Sequence, residues 1–281
     1  MARPRPDTGA APLFATRREW SLESGGTAEW ESRAARKRGL LRVRAAPRGP
    51  AADRYAAAPV LGRLRLLNRI VSATFTVGSA LFVAGAALAE LTAVGVVRCA
   101  LVYLAGGLLF TVGAYAAFLQ CVNAPGRGGR DDGLVAGEWR WWSYEPMRVD
   151  WLSALLLLGG TGVFGVNLLD SLLRGLSAQQ IDRLVWTPDM IGCTLFLISG
   201  QLAVHEVCHG RVVVRVRDLG WWIVVVNQLG AVLFMVSALA DYTQPATDSL
   251  VNVSLANWAT LGGALLFCAG GVLQAYERPT P

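Results

Sequence analysis

Charge is scarce in this chain. Asp, Glu, Lys and Arg make up 16% of its 281 residues against 53% hydrophobic ones, which excludes both an average soluble domain and a disordered chain. Cysteine is too irregular for a disulfide framework: Cys99, Cys121, Cys193, Cys208 and Cys268 are odd in number and never spaced Cys-x-x-Cys. They read as small packing residues in or beside apolar runs. Lysine occurs once, at Lys37, among 26 basic residues; with abundant Ala and Gly this points to a high-GC genome and not to an activity. The first twenty residues hold Arg but no apolar core, so no cleavable signal is expected and the first apolar run would be its own insertion signal. Gly126–Gly129 lacks the Lys-Ser/Thr and the strand–helix context of a phosphate loop.

Long apolar runs are what the chain has. They cover 70–91, 96–121, 151–171, 188–207, 219–240 and 251–274, each close to the ~20 residues a helix needs to cross a bilayer. Lipid offers no water to a bare backbone, so each run must close its own hydrogen bonds as a helix. Stretches such as Leu155–Leu158 lack the alternation of a barrel strand. Near its middle every run carries a Gly, a small residue after it, and a Phe four positions on. The pairs are Gly78/Phe82, Gly106/Phe110, Gly160/Phe164, Gly192/Phe196, Gly230/Phe234 and Gly263/Phe267, taking six of the nine Phe. Positions i, i+4 and i+7 share a helix face, so the Gly admits a neighbouring backbone and the Phe fills the adjoining gap. The stripe is expected to be packed core, not a cofactor pocket.

The expected fold class is an all-α integral membrane protein, with six transmembrane helices as three repeated two-helix hairpins. Its expected parts are a disordered basic tail (1–57), an interfacial segment with hairpin 1 (58–122), a loop (123–149), hairpin 2 (150–209), a loop (210–218), and hairpin 3 with the C-terminus (219–281). Within the tail, 34–44 could form a short basic helix on anionic lipid. Of the 26 basic residues, 23 fall on one side of the spans and only Arg98, Arg174 and Arg183 on the other. That asymmetry places both termini in the cytoplasm and the protein in a cytoplasmic (inner) membrane. The net charge of +6 is accordingly a topological and anionic-lipid signal, with no nucleic-acid partner expected. Trp139, Trp141, Trp142 and Tyr144 in the 123–149 loop, with Trp151, Trp186, Trp221 and Trp222 at helix starts, read as interfacial anchors.

Gly78–Phe82, Trp186-Thr187-Pro188-Asp189, Asn227–Gly230 with Phe234, and Leu261–Phe267 closing at Glu277 together resemble the YrhK-like membrane domain, a two-helix hydrophobic unit. The likeness covers 67–277 as three successive hairpins. It implies a fold unit and carries no catalytic residues or chemistry with it.

Three constellations could carry function. The only two His form His205-Glu206-Val207-Cys208-His209; on a helix this spacing lets His205 and His209 share a zinc ion while Glu206 serves as base. A third ligand is wanting, Gly210 threatens the helix end, and the Arg211 cation disfavours a metal, so the pattern stands as a zinc-enzyme candidate only. Glu90, Asp170 and Asp241 end the odd helices and, with Asp182, Asp189 and Asp248, would gather on the outer face. Asn167, Gln201, Asn227, Gln228 and Asn257 lie within the spans, where such groups seek partners on neighbouring helices or line a solute path. No span carries an intramembrane ion pair or a mid-depth Pro break. The sequence thus puts first a non-enzymatic scaffold, sensor or partner-binding subunit, with a protein partner or a second copy of itself. A small-solute or ion transporter comes next, and a zinc-dependent membrane enzyme third. Transport would require a continuous polar cavity containing Asn167, Asn227 or Asn257, and tight Gly/Phe packing with no cavity would count against it.

Overall fold

The computed structural model describes residues 16–22, 26–45, 53–91, 95–127, 134–211, 213–244, 247 and 249–279. Its elements in chain order are β1 (Arg17–Ser21), β2 (Gly26–Glu31), α1 (Ser32–Arg38), β3 (Leu40–Ala45), β4 (Arg54–Tyr55), α2 (Ala58–Leu91), α3 (Val96–Val122), β5 (Gly126–Arg127), β6 (Leu134–Val135), α4 (Val149–Asp170), α5 (Ala178–Ile181), a π-helical turn (Asp182–Trp186), α6 (Thr187–Cys208), α7 (Leu219–Ala240), β7 (Thr243–Gln244), β8 (Ser249–Leu250) and α8 (Val253–Tyr276).

Six helical segments are long and apolar enough to cross a membrane: α2, α3, α4, α5 running through the π turn into α6, α7 and α8. They close into a ring. Each packs on two neighbours in the cyclic order α2, α3, α4, α6, α7, α8 and back to α2. Large apolar side chains such as Leu108, Leu169, Leu229 and Leu265 face outward from it. Polar groups tie neighbouring helices together. Gln274 Nε2 donates to Asn68 Oδ1 at 2.5 Å and Ser72 Oγ to the Gly271 carbonyl at 2.8 Å, joining α8 to α2. Ser199 Oγ donates to the Ser153 carbonyl at 2.8 Å, and Ser237 and Thr260 hydroxyls meet at 2.6 Å. In lipid such bonds contribute ~0.6–2 kcal/mol each.

The disordered tail expected over 1–57 is overturned across the described part of it. β1, β2, β3 and β4 form an antiparallel sheet in that order, in which Trp20 faces Ala28 and Ala28 faces Val43. Residues 1–15, 23–25 and 46–52 of the same stretch lie outside the described residues. Trp20, Leu22, Ala28 and Leu41 from the sheet pack with Ala56, Leu61 of α2 and Leu134 of β6. That shared core joins the small domain to the bundle, and composition could not show it because the apolar half belongs to another segment. The all-α expectation is amended likewise: the chain is mostly helical, with this sheet at one end. The basic helix considered for 34–44 is instead α1, followed by β3. Gly39 ends α1 with φ +60°, the left-handed conformation favourable to glycine, and a Cβ there would lie 2.5 Å from Leu61 Cδ2.

Candidate functional site

All six Phe of the Gly/Phe pairs meet on the ring axis. Phe82, Phe164 and Phe234, from α2, α4 and α7, form a triangle with centroid separations of 5.7, 5.9 and 6.3 Å. Each also meets the Phe of its hairpin partner: Phe82–Phe110 at 5.7 Å, Phe164–Phe196 at 6.1 Å and Phe234–Phe267 at 5.5 Å. The Gly of one helix makes room for the ring of the other. A Cβ on Gly78 would lie 2.9 Å from Phe110, on Gly106 2.9 Å from Phe82, on Gly160 2.8 Å from Phe196 and on Gly263 2.6 Å from Phe234. Gly192 abuts Phe164 Cβ at 3.3 Å and Gly230 abuts Phe267 at 3.1 Å. The gap left between the six rings is about 10 Å³, no more than a single water needs, and the one polar side chain lining it, Thr161, already donates its hydroxyl to the Leu158 carbonyl at 2.9 Å.

A cavity lies on either side of this layer. One, of about 340 Å³, has the rings of Phe82, Phe164 and Phe234 in its wall; the other, of about 140 Å³, has those of Phe110, Phe196 and Phe267. The lining residues keep register with the Phe. Seven positions before the Phe of α3, α6 and α8 come Tyr103, Asp189 and Thr260, and seven after the Phe of α2, α4 and α7 come Ala89, Ser171 and Asp241, all facing the larger cavity. Seven before the Phe of α2, α4 and α7 come Phe75, Leu157 and Asn227, and seven after the Phe of α3, α6 and α8 come Ala117, Ala203 and Gln274, all facing the smaller one. Asn167 and Asn257 line the larger cavity and Asn227 the smaller, whereas Gln201 is exposed on the outside of the ring.

Helix α1 closes the smaller cavity. Its side chains Arg33, Arg36 and Lys37 form part of the cavity wall opposite the Phe. Arg33 Nε and Nη2 donate to Glu277 Oε1 and Oε2 at 2.8 and 2.6 Å, a bidentate pair. Arg36 donates to Glu206 through Nη2, with its Nε 3.4 Å from Oε1, and Ser32 Oγ donates to the same oxygen at 2.6 Å. Lys37 Nζ donates to Gln120 Oε1 at 2.5 Å. Gln120, Glu206 and Glu277 each fall ten residues after the Phe of their own helix, Phe110, Phe196 and Phe267. Three basic side chains of one short helix therefore occupy three register-equivalent acceptors, one at the end of each of α3, α6 and α8. Arg36 also lies 4.0 Å from Asp150, which holds Arg148 Nη2 at 2.6 Å. Burial opposes the charge on Arg36, but Glu206 and Asp150 outweigh it and push its pKa further up. Lys37 goes the other way: burial, then Arg36, push it well below the ordinary lysine value.

This seat disposes the His-Glu-x-x-His residues differently from a shared zinc site. Glu206 is buried and committed to Arg36 and Ser32. His209 leaves the helix, with φ 50°, and its Nδ1 meets Thr16 Oγ1 at 3.0 Å while Nε2 lies 3.6 Å from Glu31. His205 is exposed and stacks beside Gly210. Among the described residues no three His, Cys, Asp or Glu side chains gather as a metal-ligating group. The acids expected on the far face separate too. Glu90 accepts from Ser254 Oγ at 2.7 Å and Asn257 Nδ2 at 2.9 Å, Asp182 accepts from the Thr243 N–H at 3.2 Å, and only Asp189 and Asp241 share a cavity; Asp248 lies outside the described residues. Of the aromatics expected as anchors, Trp141, Trp142, Tyr144 and Trp222 are exposed, while Trp151 is buried and donates to the Ser143 carbonyl at 3.0 Å. The chain matches no protein-family model, no curated protein and no solved structure.

Proposed function

We propose that the chain is a gated permeation unit for small solutes, a channel or transporter described in its closed state. One observation carries this: two axial cavities, lined by register-equivalent residues, abut the same six-Phe layer from opposite sides. A bundle built only to pack has no use for paired cavities on its axis, so transport moves ahead of the scaffold or sensor reading. A ring of apolar side chains this tight blocks water and ions by dewetting, a recognised way of closing a pore. The α1 helix is a second closure, a plug on the smaller cavity. The repeated register favours three copies of one hairpin around a threefold axis, and the YrhK-like resemblance belongs to the same proposal. The basic side, with α1 and both termini, is taken as cytoplasmic on the 23-to-3 distribution of Lys and Arg. Anionic-lipid contact is assigned to exposed Arg63 and Arg69 on α2, because the α1 cations are already engaged.

Planar-bilayer conductance of the full chain tests the gate. Wild-type protein is expected to be silent or nearly so. The Phe82→Ala/Phe164→Ala double variant, which thins the triangle, is expected to pass current. A double variant that stays silent even when Arg36→Met is added to release the α1 plug, with native helix content and elution volume, would refute the permeation reading.

A further inference from the structure

The larger cavity carries a binding chemistry of its own. At about 340 Å³ it falls within the ~300–1,000 Å³ of small-molecule sites. Most of its polar groups already have partners: Asn167 Nδ2 donates to the Val185 carbonyl at 2.8 Å, Asn257 Nδ2 to Glu90 at 2.9 Å, and Thr260 is hydrogen-bonded to Ser237 at 2.6 Å. Two carboxylates, Asp189 and Asp241, have no cationic partner among the described residues. Asp189 is half-buried in the cavity wall; the Cys193 thiol of its own helix lies 3.7 Å from Oδ1, and the Asp241 carboxylate is near enough to act on it electrostatically. Asp241, at the end of α7, faces the same space. No Lys or Arg lines the cavity. Its wall includes the rings of Tyr103, Phe82, Phe164 and Phe234, with Tyr103 and Phe82 5.3 Å apart. A carboxylate kept ionised at such a place is stabilised by a positive partner and otherwise takes up a proton, and aromatic faces attract the same positive charge. A bare metal ion would want a fuller set of oxygen ligands than two carboxylates in an aromatic wall.

We infer that this cavity binds small organic ammonium ions, with Asp189 and Asp241 as counter-charges and the aromatic wall holding the apolar body. The inference deepens the permeation reading by naming the class of solute, and it rests on that reading only for the biological use of the site.

Calorimetric titration of tetramethylammonium and ethylammonium chloride into the detergent-purified full chain tests it, with sodium chloride at matched ionic strength as control. The titration is run at pH 8, above the value of about 6 to which burial raises the Asp241 carboxyl. Saturable binding of an ammonium ion is expected, weakened roughly tenfold or more by Asp241→Asn and by Asp189→Asn. Tyr103→Leu should weaken tetramethylammonium more than ethylammonium, since the quaternary ion relies more on the ring face. If Asp189→Asn fails to fold, Asp241→Asn and Tyr103→Leu still decide. Heats no different from sodium chloride, binding untouched by the variants, or preference for Mg²⁺ or Ca²⁺ would each overturn the inference. Ammonium binding beside a bilayer that stays silent with Phe82→Ala, Phe164→Ala and Arg36→Met together would sink the permeation reading alone, and current without ammonium binding would sink only this one.

Discussion

Arg36 of α1 and Glu206 of α6 meet in a buried ion pair across 170 residues of sequence. The pair accounts for two features at once: a basic segment that is folded and not a solvated tail, and a Glu between two His that is not free to act as a base. Removing one partner leaves an uncompensated buried charge, at a cost of ~3–5 kcal/mol, whereas replacing both by apolar groups is close to neutral. Arg36→Met is therefore expected to release the N-terminal domain, seen as faster hydrogen exchange across 26–45. Arg36→Met combined with Glu206→Leu should restore most of the protection. Equal loss in the single and double variants would show that the pair's own attraction, and not a charge left unpaired, is what is lost; no loss in either would show that the pair does not hold the plug.

Acid should undock the same domain. Glu31 is lowered from 4.5 to about 2, chiefly by the His209 ring 3.6 Å away, with Arg42 helping against burial. Burial alone would raise Glu277, but Arg33 outweighs it and holds that carboxyl below its ordinary value too. A carboxyl lowered on folding adds stability that is complete above its unfolded value and disappears as pH falls through the folded one. Loss is thus expected from pH 4.5 down to about 2. Trp30 reports it, since its Nε1 donates to the Pro125 carbonyl at 3.2 Å. Trp30 emission unchanged across that window would contradict the assignment, as would a Glu31→Gln variant with an unaltered profile.

The glycines of the bundle fall into two classes that substitution separates. A Cβ on Gly106 would sit 2.9 Å from both the Gly78 carbonyl and the Phe82 ring, with backbone on one side that cannot swing away. Gly162 meets nothing within 4 Å. Gly106→Ala is expected to lower stability by about 1–3 kcal/mol. Gly162→Ala should raise it by up to about 1 kcal/mol through helix propensity. A steric-trap or SDS unfolding titration distinguishes them, and equal effects would place the Gly/Phe contact outside the energetics of the fold.

The six spans were legible because apolar length and the Gly–Phe spacing are local signals that survive without context, although the first and fourth helical segments begin at Ala58 and Ala178, well before the expected 70 and 188. Cavities are not local. Tyr103 and Asp241 are 138 residues apart yet face one space, and nothing in either neighbourhood marks that. The plug was legible only in retrospect. Gln120, Glu206 and Glu277 share a ten-residue offset from a Phe, and Arg33, Arg36 and Lys37 sit at i, i+3 and i+4, one face of a helix. Low apolar content around 16–45 concealed both, because the domain borrows Leu61 and Leu134 for its core. The His-Glu-x-x-His spacing misled for a related reason: it presumes a helix through His209, and the turn at that residue ends it.

Lys37, the chain's single lysine, should set an alkaline signature on stability. It is 3% exposed, it donates to Gln120, and burial and Arg36 together hold its pKa well below the ordinary 10.5. A lysine lowered on folding binds its proton more weakly in the folded state than in the unfolded one. Its contribution to stability is therefore most favourable above 10.5 and declines as pH falls below that value toward the folded pKa. Wild-type protein should grow more stable between pH 8 and 10 as far as this group is concerned. Replacing the pair by apolar groups, Lys37→Met with Gln120→Leu, removes the buried amine and its acceptor together, so neither is left unsatisfied. That double variant is expected to be about 1–4 kcal/mol more stable at neutral pH and to lose the alkaline rise. Denaturation of the N-terminal domain followed by Trp30 fluorescence at pH 7 and pH 10 gives both numbers. If the variant keeps the wild-type rise, Lys37 is not the titrating group; if it is less stable at both pH values, the Lys37–Gln120 bond holds the plug in place more strongly than the burial of the amine opposes it.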